Sequence, residues 1–206
     1  AFDPGSIGLG EYGKPGNYFA RQIGRWSKQY LADDLAGRNA DMDALVEWLP
    51  TVTPPAEEST VVHGDFRCDN MIFHPTEPRV IAVLDWELST IGDPLTDVAY
   101  HCLAFHLQRE QRGVPGLLGH DLAALGVPTE REIVQWYCAA RGIAEIPNWS
   151  FCVAFALFRL AAIAEGVYAR MRQGNANADA ASTVANESAA FANAARRVAE
   201  AGQGPQ

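Results

Sequence analysis

The sequence has few cysteines and no long apolar run. Its four cysteines lie at positions 68, 102, 138 and 152, and no pair has C-x-x-C spacing. The absence of this spacing argues against a zinc site and favours free thiols in a reducing compartment. No stretch of about 18 apolar residues is without charge, so we expect no membrane-spanning segment. The first residues lack the basic start and apolar run of a signal peptide. These absences together predict a cytoplasmic protein.

Basic residues are also scarce. The chain has 16 Lys and Arg residues against 25 Asp and Glu residues, a formal net charge of −9. Binding to a nucleic-acid backbone needs a basic face, so we expect no nucleic-acid partner. An acidic protein that handles phosphate groups needs local positive charge, which a bound metal ion can supply. The 206 residues, 48% of them apolar, are enough for one domain with a hydrophobic core.

Short apolar runs alternate with polar residues in the stretch from residue 61 to residue 100. The runs at 61–62 and 80–84 are rich in β-branched residues and bounded by turn residues, which predicts two buried strands. A turn at residues 74–78 joins these strands. Since the polar residues then lie at strand ends and in a tight loop, their side chains can converge.

Two carboxylates and one amide occupy these positions. Asp65 can accept a proton from a hydroxyl group or orient that group for attack. Asn70, five residues later, and Asp85, at the end of the second run, offer the hard oxygen ligands that Mg²⁺ prefers. Phosphoryl transfer asks the protein mainly for positioning and charge neutralisation, and this set of groups can provide both.

Three motifs in this stretch follow one another in the order HGDFRCDN, VLDWE and GDPLTDVAY. They resemble the aminoglycoside phosphotransferase and choline kinase family, and most of all the kinase-like domain fused to some acyl-CoA dehydrogenases. The resemblance covers residues 17–178. It implies an α+β fold, mainly α with a small β hairpin, that forms the carboxyl-terminal lobe of a protein-kinase-like phosphotransferase. The implied reaction is transfer from ATP, or GTP, to a hydroxyl of a small molecule with Mg²⁺.

The resemblance also implies roles for individual residues. Asp65 is the expected catalytic base, and Asn70 and Asp85 are the expected ligands of Mg²⁺ and thereby of the nucleotide. His63 and Arg67 are the other expected catalytic residues, and with Asp65 they lie in residues 63–70, called here the catalytic loop. Asp93, Asp97 and Glu87 are expected to support this loop structurally. The small-molecule acceptor is expected to be aminoglycoside-like, choline or a hydroxyacyl-CoA.

Apolar periodicity predicts that most of the remaining chain is helical. Two helices are predicted in residues 17–50, at 17–36 and 42–49, and Gly37 and the prolines after residue 49 are expected to end them. Residues 129–201 are predicted to hold three more helices. These begin with a capping box at Thr129–Glu132, continue with a long, mostly buried helix over 148–173, and end with an Ala-rich helix over 181–201.

A glycine-rich segment precedes the first predicted helix. Residues 8–13 match G-x-G-x-x-G, but they lack the preceding strand of a dinucleotide site and the following Lys-bearing strand of a kinase phosphate loop. We therefore interpret residues 1–16 as a flexible loop on the substrate side. The expected organisation is a single domain, residues 1–206, without the amino-terminal nucleotide lobe and with weak or no kinase activity by itself.

Two other functions remain open from the residues alone. The first is a non-catalytic nucleotide-binding or pseudokinase module, which the missing lobe favours and the intact key residues oppose. The second is a metal-dependent phosphohydrolase using His63, Asp65 and Asp85, which would need more metal ligands than the histidine spacing suggests. Taken singly, each residue also has a structural interpretation, such as a helix cap for Asp93. Their joint order favours the phosphotransferase.

Overall fold

The computed structural model describes residues 3–32, 37–108, 116–172 and 178–202. Contacts divide the chain into two compact units, Ala1–Tyr18 with Ala56–His101, and Phe19–Pro55 with Cys102–Gln206. Helices dominate: α1 Tyr18–Leu31, α2 Ala40–Trp48, α3 Leu95–His101, α4 Leu122–Leu125, α5 Glu130–Arg141, α6 Trp149–Arg170 and α7 Ala178–Ala201. The strands are short: β1 Thr60–Val62, β2 Met71–Phe73, β3 Val80–Val83 and β4 Thr90–Gly92. The predicted fold class, mainly α with a small β hairpin, is confirmed.

The first unit contains two antiparallel pairs of strands. β1 pairs with β4, so that Val61 lies opposite Ile91, and β2 pairs with β3, so that Ile72 lies opposite Ala82. The turn at residues 74–78 is present as predicted, but it joins β3 to β2, which was not predicted, and not to the predicted strand at residues 61–62. The first pair was not predicted, because β4 is only three residues long and its partner lies about 30 residues earlier in the chain.

The burial predicted for the strands is correct for β1 and wrong for β3. Val62 is fully buried, whereas Val80, Ile81 and the following Leu84 are 43%, 47% and 46% exposed. A β-branched run fits any pleated strand, but its burial depends on what packs over it, and a run of four residues carries no information on that.

The second unit is built around α6. Thirteen of its residues are buried, which confirms the prediction that this helix is the most buried. Phe19 of α1 makes edge-to-face contacts with Phe151 and Phe155 of α6, each with ring centroids 5.2 Å apart. α7 packs along α6, and the hydroxyl of Ser188 donates to the carbonyl of Ala161 at 3.1 Å.

α6 is also long and apolar enough, by length and composition alone, to cross a membrane. Its most apolar window has a mean hydropathy of 1.7, and 67% of that window is buried inside the structure. Burial of this extent is what the core helix of a globular protein shows. The expectation that no segment spans a membrane therefore stays a prediction.

The predicted helix ends are partly corrected. α1 stops at Leu31, and residues 33–36 of the longer predicted helix lie outside the described residues. α2 begins two residues early because Asn39 caps it, accepting from the backbone N–H groups of Asp41 and Met42. The capping box that opens α5 is present, and Gly142 ends that helix in the left-handed region. Of the break predicted at residues 174–178, residues 174–177 lie outside the described residues, and Ala178 begins α7.

Candidate active site

His63 connects the loop after β1 to the end of β3. Its side chain is buried, with Nε2 2.7 Å from the carbonyl oxygen of Leu84, while Nδ1 accepts from the backbone N–H of Asp65 at 3.2 Å. Because Nδ1 accepts a backbone proton, the ring proton lies on Nε2 and is donated to Leu84. Both ring nitrogens are thus engaged, and neither can ligate a metal in this arrangement.

Asp97, in the first turn of α3, holds the same loop from its other side. Its carboxylate accepts from the backbone N–H groups of His63 at 2.6 Å and of Gly64 at 2.9 Å. Charge-assisted hydrogen bonds of this kind are stronger than neutral ones. Gly64 has φ of +85°, and a Cβ atom there would lie 2.6 Å from the carbonyl oxygen of Leu88, so the loop needs glycine at this position.

Asn70 orients the carboxylate of Asp65. Its side-chain nitrogen donates to the Asp65 backbone carbonyl and to Asp65 Oδ2, both at 2.8 Å. Asn70 ends a short 3₁₀ turn over Cys68–Asn70, which brings its side chain back toward the residue five positions earlier. With the amide nitrogen committed to Asp65, the amide oxygen is the atom of Asn70 that can bind a cation.

A backbone hydrogen bond links the residue before Asp85 to Asn70. The N–H of Leu84 donates to the carbonyl of Asn70 at 2.8 Å, so the end of β3 is joined to the catalytic loop. Asp85 itself has φ of 65° and ψ of 54°, the left-handed region, which Asp tolerates better than most residues. Its side chain is exposed.

The oxygen atoms of Asn70 and Asp85 fit the requirements of Mg²⁺. This ion commonly uses one or two carboxylates and completes its shell with water and substrate phosphates. Among the residues that the structure describes, no three His, Cys, Asp or Glu side chains converge as a metal cluster. The additional ligands that a phosphohydrolase would need are therefore not found in that part of the chain.

Arg67 places a positive charge in the catalytic loop. It forms an ion pair with Asp69, and Nε donates to Oδ2 of Asp69 at 2.7 Å. Burial acts to lower the pKa of Arg67, but the hydrogen bonds and charge of Asp69 outweigh it, with a smaller contribution from Asp65, and the pKa is raised. The side chain therefore remains a cation close to the candidate base.

The two remaining predicted residues differ in their surroundings. Asp93 is 1% exposed and accepts from the backbone N–H groups of Glu58 at 2.8 Å and Leu95 at 2.9 Å. It therefore caps α3, as its structural interpretation predicts. Burial raises the pKa of Asp93 to about 6, although both hydrogen bonds act to lower it. Glu87 lies exposed on the 3₁₀ turn after Asp85.

Sequence reasoning missed the contact between the glycine-rich segment and the turn after Asp85. The hydroxyl of Tyr12 lies 2.5 Å from Ser89 Oγ, which in turn lies 2.5 Å from the Trp86 carbonyl. We interpreted residues 1–16 as a flexible loop; in the structure Tyr12 contacts this turn and Gly13 lies close against β4. The tyrosine within the glycine-rich segment was the one available signal.

The second unit contains two cavities that share Glu130 and Trp149. They have volumes of about 590 Å³ and 400 Å³, within the range of small-molecule sites. Oε1 of Glu130 accepts from Trp149 Nε1 at 2.9 Å and lies 3.0 Å from His106 Nε2. Burial, assisted by the charge of Glu130, raises the pKa of Cys102 to about 12. The sequence indicated Glu130 only as part of a helix start.

Comparison with known proteins identifies the family. The model of the phosphotransferase enzyme family matches residues 1–137. Mouse acyl-CoA dehydrogenase family member 10 is 48% identical over 169 residues, which are 82% of this chain and 16% of that protein. Human acyl-CoA dehydrogenase family member 11 is 42% identical over 200 residues, which are 96% of this chain and 24% of that protein. The chain thus spans less than a quarter of these relatives.

A solved structure shows the same fold. The crystal structure of a "putative aminoglycoside phosphotransferase" from Ralstonia eutropha matches with a TM-score of 0.88 and 43% sequence identity. The match covers 97% of this chain and 60% of that chain. The family match extends over the catalytic loop, the end of β3 and α3, where the motifs of the sequence lie. The chain therefore belongs to the phosphotransferase enzyme family.

Proposed function

We propose that this chain carries the catalytic and metal-binding part of a small-molecule kinase, which transfers a phosphoryl group from ATP to a hydroxyl with Mg²⁺. One observation carries the proposal. Asn70 donates to the carboxylate of Asp65 through its side chain and accepts from the residue before Asp85 through its backbone. A candidate base and two candidate metal ligands are thereby joined in one network.

The geometry supports a separate role for each residue of this network. The bond from Asn70 to Asp65 Oδ2 orients the carboxylate, so that its other oxygen can accept the proton of the acceptor hydroxyl as that hydroxyl attacks. The Asn70 amide oxygen and the Asp85 carboxylate would hold Mg²⁺, which when bound neutralises charge on the phosphates. If the Arg67 guanidinium releases Asp69 and binds a phosphate oxygen instead, its positive charge stabilises the transferred phosphoryl group.

Two acceptor classes are supported by the relatives. The relation to acyl-CoA dehydrogenases favours a hydroxyacyl-CoA, and the solved relative favours an aminoglycoside-like molecule.

Among the described residues, the glycine-rich segment comes close to β4 at Gly13 and no Lys-bearing strand follows it. We therefore expect the isolated 206 residues to have weak or no kinase activity. We also propose that the phosphoryl donor is ATP or GTP and that the protein is cytoplasmic.

The deciding experiment replaces the candidate base. The protein, at its full natural length, is assayed for ADP formation with ATP and Mg²⁺ against a panel of hydroxyacyl-CoAs and aminoglycosides. Asp65→Asn should lower acceptor-dependent turnover about 10²- to 10⁴-fold, the usual contribution of a general base. Asp121→Asn is the matched control, because Asp121 is exposed on a different unit and Asn retains the N-cap function there.

Each alternative function has its own outcome in this assay. Nucleotide binding without turnover on any acceptor would favour the non-catalytic module. Release of phosphate without an acceptor, lost in Asp65→Asn, would favour the phosphohydrolase. Full acceptor-dependent turnover by Asp65→Asn would remove Asp65 from its proposed role while leaving a kinase in place.

A further inference from the structure

The segment of residues 8–15, called here the N-terminal loop, comes close to β4 at Gly13. A Cβ atom at Gly13 would lie 2.7 Å from the backbone nitrogen of Ile91 and 2.7 Å from Oγ1 of Thr90. Only glycine allows the loop backbone to come this close to the strand. The loop therefore has a defined position against β4 within the first unit.

Next to Gly13, Tyr12 begins a chain of hydrogen bonds that ends at the carbonyl of Trp86, the residue after Asp85. Ser89 Oγ donates to the Trp86 carbonyl at 2.5 Å, and the Ser89 backbone N–H donates to the same carbonyl at 3.0 Å. Since the Ser89 hydroxyl proton is used in this way, the Tyr12 hydroxyl is the donor to Ser89 Oγ, at 2.5 Å. The loop thus holds the turn of residues 86–89 through Ser89.

The opposite side of this turn lies against the catalytic loop. The Trp86 ring lies 4.8 Å from the imidazole of His63, and its Nε1 donates to the Val83 carbonyl at 2.9 Å. The Leu88 carbonyl oxygen lies so close to Gly64 that a Cβ atom there would be 2.6 Å from it. The turn is therefore fixed between the catalytic loop and the N-terminal loop.

We propose that Tyr12 is a positioning residue for Asp85. Asp85 has a left-handed backbone and its side chain forms no cap hydrogen bond to the turn. The turn that follows, fixed by Tyr12 through Ser89, would keep that backbone in place. This inference rests on the proposed Mg²⁺ role of Asp85. A single hydrogen bond at a partly exposed site corresponds to a change of about fivefold in an equilibrium constant.

The test uses two readouts on the ¹⁵N-labelled 206-residue chain. Amide hydrogen exchange of Ser89 reports on the turn without any metal. Titration with Mn²⁺ alone, followed by paramagnetic broadening of the Asn70 and Asp85 amide signals, reports on the cation site. Tyr12→Phe removes only the hydroxyl group, and Gly13→Ala displaces the loop from β4.

Two variants, one just before the N-terminal loop and one within it, serve as matched controls. Ser6→Ala also removes a hydroxyl, one that bonds the Asp3 carbonyl, outside the Tyr12 chain of hydrogen bonds. Gly10→Ala also adds a methyl group, but its Cβ would meet nothing closer than the Gly5 Cα at 3.8 Å. Both controls should leave the two readouts at their wild-type values.

Tyr12→Phe and Gly13→Ala should each speed exchange of the Ser89 amide and weaken Mn²⁺ binding. In Tyr12→Phe, we expect the Mn²⁺ affinity to fall about fivefold. Combining Tyr12→Phe with Ser89→Ala should add nothing to Ser89→Ala alone, because the two groups act through one bond. Unchanged exchange and Mn²⁺ binding in Tyr12→Phe would overturn the inference. If exchange changes but the wild-type chain shows no Mn²⁺ effect at Asp85, the proposed metal site is wrong, and the role of Tyr12 is lost with it.

Discussion

At the residue scale, Asp93 is subject to two opposing effects. It is almost fully buried, which disfavours its charged form, and it accepts two backbone N–H groups, which favour that form. Burial is the larger effect, and the pKa is raised to about 6. Asp93 should therefore change its charge in a pH range where ordinary aspartates are already ionised.

This pKa has a direct consequence for stability. The pKa of Asp93 in the unfolded chain is about 3.9, so between pH 4 and 6 the folded protein binds more protons than the unfolded chain. The stabilisation from protonated Asp93 is complete below about pH 4 and is lost as the pH rises through 6. Relative to Asp93→Asn, the wild-type free energy of unfolding should fall by on the order of 2 kcal/mol from pH 4 to pH 7.

Urea unfolding at a series of pH values measures this difference, and Asp93→Asn is the control because its side chain does not titrate. A carbon-detected NMR titration of the Asp93 carboxyl group gives an independent value. A midpoint near pH 4 would contradict the explanation from burial.

Single residues also show what the sequence can and cannot predict about the candidate site and about the cavities of the second unit. Asp65, Asn70 and Asp85 were found because short intervals along the chain set their positions, and their roles remain predictions. Tyr12 was missed because its partner, Ser89, is 77 residues away and neither residue has an unusual local pattern. Glu130 was missed because its carboxylate meets an indole from another helix, which no spacing within α5 reveals.

At the scale of elements, the pairing of α6 and α7 depends on small side chains. Ala192, Ala195 and Ala199 of α7 are 0%, 0% and 2% exposed, on the helix that packs against α6 and α2. Small residues let helix backbones approach closely, and such an interface has little room for extra atoms. The Ala-rich composition predicted a helix, but it did not show which alanines face the core.

Enlarging one of these alanines should therefore destabilise the fold. Ala195→Leu inserts three carbon atoms into a fully buried position, and overpacking of this kind typically costs about 1–3 kcal/mol. Ala189→Leu is the matched control, because Ala189 lies on the exposed face of the same helix, where changes stay within about 0.5 kcal/mol. Urea unfolding of both variants compares them, and equal effects would mean that Ala195 is not tightly packed.

At the scale of the whole molecule, the main feature to explain is an apolar helix long enough to span a membrane. Phe151, Phe155 and Phe158 of α6 are 1%, 0% and 0% exposed, so its large side chains are covered by the second unit. Helix periodicity predicted α6 and its burial because 22 residues give a strong signal. The exposure of the hairpin could not be predicted in the same way, because its strands have only three and four residues.

The covered face of α6 leads to a prediction for the entire chain. Since the apolar side chains are already packed, the folded chain should remain in the aqueous phase during Triton X-114 phase separation. A protein with a known membrane-spanning helix provides the positive control. Recovery of the folded chain in the detergent phase would show that α6 leaves the core, and the expectation of no membrane-spanning segment would be wrong.

The close approach of Gly64 to Leu88 also matters for genetics. Every single-base missense change in a glycine codon introduces a Cβ atom, and at this position that atom would lie 2.6 Å from a carbonyl oxygen. A loss-of-function screen should therefore recover alleles at Gly64 as readily as at Asp65, although Gly64 has no side chain with which to touch a substrate. Intolerance to mutation at this codon reflects the distance between two loops and says nothing about chemistry.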